Sequence, residues 1–183
     1  MNRALVLSLL LTTACECQPP GAPPASGPAA LEVPSPPAVP FSAASFPCCA
    51  VDSVRVLVVG NDQLAEALAQ DDLEVARVEL EEVARRAAMA AEDPALSESS
   101  RVQAAAIAEQ ARGRAPERLE TLRALFKEIS ERLIVLVQAN RGGSMRVAVA
   151  FCPRSNANWL QAGPGIMNPY LGSLEASSGV FRP

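Results

Sequence analysis

Five cysteines and no histidine stand in a chain of 183 residues. Imidazole general bases, Ser–His and Cys–His nucleophile pairs and His-ligated metals are excluded from the outset. Cys48 and Cys49 are adjacent, and two neighbouring thiolates suit a soft ion such as Cu(I). The same cysteines would pair as disulfides in an oxidising compartment. The carboxylates Asp71, Asp72 and Glu74 are better explained as helix-starting groups than as acid–base catalysts. No catalytic residue is expected, and the chain is not expected to be an enzyme. A net charge of -4 with interspersed signs leaves no basic stripe to neutralise phosphates, so a nucleic-acid partner is excluded.

The compartment is read from the start of the chain. Met1-Asn2-Arg3 carries one positive charge, Ala4 to Leu11 is a short apolar run, and Thr12-Thr13-Ala14-Cys15 follows. This is the layout of a secretory signal, too short to span a bilayer as a helix. Its end resembles the lipobox of bacterial lipoproteins, in which the Cys is lipid-modified and begins the mature chain. Leu11 stands four residues before Cys15 where that pattern has three, and ordinary signal-peptide cleavage is the alternative. Gln18 to Pro47 is about one-third Pro with hardly any charge. Such a composition cannot bury a core and behaves as an extended tether. The organisation expected is a signal peptide over 1–14, a lipidated Cys15 and Pro-rich spacer over 15–50, and a folded domain over 51–183. Once exported, Cys17, Cys48, Cys49 and Cys152 admit three complete pairings, and Cys152 is expected to bridge to Cys48 or Cys49. Disulfides are preferred over a metal because no second cysteine pair with metal-ligand spacing accompanies the first.

The folded domain reads as helices. Val51, Val54, Val58, Ala65 and Leu68 fall on a helical stripe, although VRVLVVG suits a strand equally well and Gly60 weakens the helix. Asp71-Asp72-Leu73-Glu74 opens a second helix with Ala76, Leu80, Val83, Ala87 and Ala90 inside, stopping before Pro94. A third begins near Ser97 to Ser99 and runs to Gly113. A fourth carries Pro116 in its first turn and repeats Leu119, Leu122, Phe126, Ile129, Leu133 and Leu136 until Gly142-Gly143. Met145 to Phe151 alternates as one short extended segment, ended by Cys152-Pro153. Beyond it an irregular cap is anchored by Trp159 and Tyr170, the only Trp and Tyr. The expected fold class is all-α, an antiparallel four-helix bundle with a short extended segment and an irregular C-terminal cap.

Four blocks of the tail follow in order: Cys152-Pro153-Arg154, Trp159-Leu160, Ile166-Met167-Asn168-Pro169-Tyr170-Leu171-Gly172, and Glu175 to Gly179. They resemble the periplasmic domain of unknown function that occurs alone and at the end of heavy-metal efflux adaptor proteins, whose tail reads CPM, WL, I-x-NPYYG and MLxCG. A looser likeness covers the helices, where Ala67-Leu68…Asp71-Asp72 and Arg123…Phe126…Ser130 match two further patterns. The resemblance spans about residues 51 to 180. It implies soft-metal handling by Cys and Met residues. Here Arg154 and Glu175 stand where the family has Met, and Ser178 where it has Cys, leaving Cys152, with Met167 as a substitute. The structural part, Trp159, Asn168, Pro169, Tyr170 and Gly172, is retained.

The function expected is therefore an exported bacterial membrane lipoprotein, facing the periplasm or cell surface, that carries a non-enzymatic interaction or structural module. Its partners would be the membrane, through the lipid on Cys15, and a protein of the envelope or of a heavy-metal efflux system. The alternative is a periplasmic copper or heavy-metal binding protein with Cys152, Cys48, Cys49 and Met167 as ligands and copper as its cofactor.

Overall fold

In the computed structural model the described residues are 39–114 and 116–183; the expected signal peptide, Cys15, Cys17 and most of the spacer lie outside them. Mostly helical structure is observed. The ambiguous first stretch is a helix, α2 (Asp52–Ala69), after a one-turn α1 (Phe41–Ala44). Val54, Leu57, Val58, Asn61, Leu64, Ala65 and Leu68 are buried along it at spacings of three and one, a helical rather than strand period. Gly60 has a reason: a Cβ there would lie 2.7 Å from Nη1 of Arg86, which crosses it to donate to the Val56 carbonyl and to Gln63.

α3 (Leu73–Ala91) starts where Asp72 caps it, its carboxylate accepting from the Val75 N–H at 3.0 Å. It ends ahead of Pro94. α4 (Glu98–Ala111) is capped by Ser97, whose hydroxyl accepts from the Ser100 N–H. α5 (Leu119–Ala139) begins three residues later than Pro116 suggests, with the N-cap at Arg118 in extended conformation. A proline favours the first turn of a helix but does not oblige the next residues to be helical, and Arg118 leaves Pro116 in the connection. α2 packs on α3, α3 on α4, α4 on α5, and α5 returns to α2. No helix of the described residues is long and apolar enough to cross a membrane.

The all-α expectation is corrected by an antiparallel sheet of four strands: β1 (Phe46–Cys48), β2 (Met145–Cys152), β3 (Ala157–Gln161) and β4 (Val180–Phe181). β2 is central, pairing β3 through Ala148↔Gln161 to Cys152↔Ala157, β4 through Ala150↔Phe181, and β1 through Cys48↔Met145. The cap is thus partly strand. Directly paired residues share a face, so Ala150 sits between Trp159 and Phe181, and all three are buried. The fold also begins before residue 51. Phe41 stacks edge-on against Phe181 at 5.3 Å, Val39 bridges to Phe181, and β1 joins the sheet, so the end of the expected spacer is structured by its few large apolar residues.

Candidate functional site

Two places in the fold gather polar side chains against the tail. The first is a lock between the tail and the helices. Asp71 follows α2 in the left-handed region (φ 61°) and turns its carboxylate back over the helix end. Oδ1 accepts from Arg123 Nη2 at 2.5 Å, and Oδ2 accepts from the Ser173 N–H at 2.8 Å. Arg123, on α5, also donates to the Leu68 carbonyl at 2.8 Å and the Pro169 carbonyl at 2.9 Å. The Ser173 N–H and the Arg123 guanidinium together hold the Asp71 carboxyl down to about 2. Gly172 (φ 78°) lies so close that a Cβ would stand 2.6 Å from Asp71 Oδ1.

Asn168 shapes the chain entering this lock. Its Oδ1 accepts from the Tyr170 N–H at 2.9 Å and its Nδ2 donates to the Ser178 carbonyl at 2.6 Å. The Tyr170 ring lies 5.8 Å from Phe126 and 5.9 Å from Trp159, and its hydroxyl donates to the Asn158 carbonyl at 2.8 Å. Burial pushes the phenol's pKa well up. Ser130 faces the same phenol without closing a well-formed hydrogen bond. The stretches Leu68…Asp71, Arg123…Phe126…Ser130 and Asn168…Gly172 therefore meet at one point. Arg154 and Glu175 also meet, in an exposed ion pair.

The second place is a pocket of about 300 Å³ between α2 and the tail, walled by Val59, Asp62, Glu66, Met145, Trp159 and Met167. Gln161, almost wholly buried, builds its rim. Its Oε1 accepts from Trp159 Nε1 at 3.2 Å and from the Met167 N–H at 3.0 Å, while its Nε2 donates to the carbonyls of Gly163 and Gly165. Burial pushes the Asp62 carboxyl up to about 6, outweighing the Ala162 N–H that donates to it at 3.4 Å; the nearby Glu66 pushes the same way. Among the described residues neither Asp62 nor Glu66 belongs to an ion pair. Sequence reasoning missed this pocket. Its one local signal was Asp62 and Glu66 at i,i+4, two like charges on one helix face, an arrangement that costs stability unless something opposes it.

The sulfur residues are dispersed. Cys48 and Cys49 are disulfide-bonded to each other, with Cys49 at φ 70°, and Cys152 is a buried free thiol accepting from the Ser155 N–H at 3.4 Å. The expected bridge from Cys152 to Cys48 or Cys49 is thereby corrected. Cys48 pairs with Met145 at one end of β2, and Cys152 closes the other end. At about 3.3 Å per residue these ends stand roughly 23 Å apart, and a disulfide joins Cα atoms only within about 7 Å. Met167 lines the pocket, tied to Gln161, rather than approaching Cys152. Met145, which the sequence did not single out as a ligand, shares that pocket with Met167. No family model matches the chain, and no curated protein and no solved structure matches it.

Proposed function

We propose that the chain is an exported, lipid-anchored protein of the bacterial cell envelope whose folded part is a non-enzymatic interaction and structural module, its four long helices forming an antiparallel bundle. The short connections between successive helices favour reversal of direction, and the return of α5 to α2 fits a closed ring of four. The observation that carries the reading is the lock. The polar groups that resemble a periplasmic domain, Asp71, Arg123 and Asn168, are spent on holding the tail to the helices rather than directed at a reacting centre. Arg154 and Glu175, at two positions where that domain has Met, form an ion pair with each other, as a joint replacement would. Replacing Cys15 by Ala should move the protein from the membrane fraction to the soluble periplasm; unchanged fractionation would end the anchored reading.

Copper or heavy-metal binding is the second reading, favoured by the thioethers of Met145 and Met167 lining the same pocket. Titration with Cu(I) tests it. Stoichiometric binding that disappears in Met145→Leu with Met167→Leu would support it, and no stoichiometric uptake would eliminate it.

A further inference from the structure

We infer that the pocket beside Trp159 receives a primary alkylammonium group, seated on Asp62 and Glu66 with its hydrocarbon stem against Val59, Met145, Met167 and the indole. The geometry makes three demands of an occupant. It must be cationic, because the wall carries two carboxylates and, among the described residues, Glu66 is the only other charged group lining the cavity with Asp62 and no Arg or Lys does. It must carry apolar surface, because much of the remaining wall is the thioethers of Met145 and Met167 with Val59, Ala65 and Ala162, bordered by the fully buried Trp159. It must be small, because about 300 Å³ lies at the lower limit of ligand pockets.

A hard divalent metal is cationic and small but takes six or more oxygen ligands, more than two carboxylates beside an apolar wall supply. An ammonium needs only one or two carboxylates and tolerates apolar neighbours. The desolvation that lifts the Asp62 carboxyl supports the same assignment, because a bound cation would restore the counter-charge that burial removes. The ammonium has two sources of identical chemistry, a free short-chain amine or a lysine side chain presented by an envelope protein. This adds a ligand to the module proposed above. A protein that ignores amines but leaves the membrane in Cys15→Ala would sink this inference alone.

Trp159 is the only indole in the chain and lines the site, so its emission reports occupancy directly. The probes are n-butylammonium, n-butanol as the uncharged control, and a lysine peptide with both termini blocked, each titrated at about pH 7.5. A saturable change with butylammonium or the peptide is expected, at least tenfold tighter than with butanol. The tighter of the two cations identifies the source. Asp62→Asn should weaken cation binding about tenfold or more while the protein stays folded, as its unfolding curve would show. In the wild type affinity should fall roughly tenfold per pH unit below about 6, as Asp62 takes up its proton. Equal affinity for butanol, unchanged binding in Asp62→Asn, pH-independent binding down to about pH 5, or no saturable response to either cation would each overturn the inference.

Discussion

Asp62 and Asp71 belong to the same helix and its end, yet their carboxyls move in opposite directions, with opposite consequences for stability. Asp71 is held at about 2, below its ordinary 3.8, so its contribution is complete above about pH 4 and is lost as pH falls through about 2. Asp62 is raised from 3.8 to about 6, so the folded chain holds that proton more tightly; its contribution is complete below about pH 4 and is lost as pH rises through about 6. Urea unfolding followed across this range should therefore show wild type losing stability between about pH 4 and 6 relative to Asp62→Asn. Near neutral pH the variant should be the more stable by about 1–2 kcal/mol, less than the full two-unit shift because Asp62 keeps partial solvent contact. Gly172→Ala should cost about 1–3 kcal/mol, since the new methyl meets the Asp71 carboxylate and the backbone sits in the left-handed region. A urea midpoint unchanged by that substitution would show that the lock does not form. At this scale the sequence disclosed what is local: the caps by Asp72 and Ser97 reach only three residues ahead. The partner of Asp71 on α5 lies 52 residues away, and no periodicity announces such a pair.

The long helices were readable because each buries one stripe, and the apolar period survives in the order of residues. The sheet was not, for a physical reason. β3 is buried along almost its whole length, so it has no polar alternation, and β4 is two residues long. In β2 the buried set includes Ala148, Ala150 and Cys152, whereas the bulkier Val149 and Phe151 are only half-buried, so side-chain size does not mark the inner face. Phe151 instead lies beneath the Arg182 guanidinium, 3.9 Å from its ring. The placement of β2 also decides the sulfur chemistry. Peptide mapping without reductant should recover Cys48 and Cys49 in one peptide lighter by two hydrogens than its reduced form, with Cys152 unlinked. Cys152 should resist alkylation in the folded protein and react once it is unfolded. A linked pair of peptides containing Cys152 and Cys48 would contradict the register of the sheet.

Across residues 39 to 183 the tail is held both by the sheet and by the lock, so helices and tail should lose structure together. Trp159 emission reports the tail and far-ultraviolet circular dichroism reports the helices; in urea their transitions are expected to coincide within error. An earlier loss of the indole signal would mean that the tail detaches first. The same architecture brings the first described residues of the fold beside its last strand. Val39 and Phe41 lie against Phe181, two residues from the terminus at Pro183. Residues 39–41 and 181 are neighbours in space, the condition under which the folded part can be rejoined end to end and reopened elsewhere. A circular permutant joining Pro183 to Val39 through a few glycines and cut in the turn between α4 and α5 would keep the topology intact. By the same token a bulky reporter fused after Pro183 would crowd the point at which the chain enters the fold, and labels are better placed at the solvent-facing Leu174.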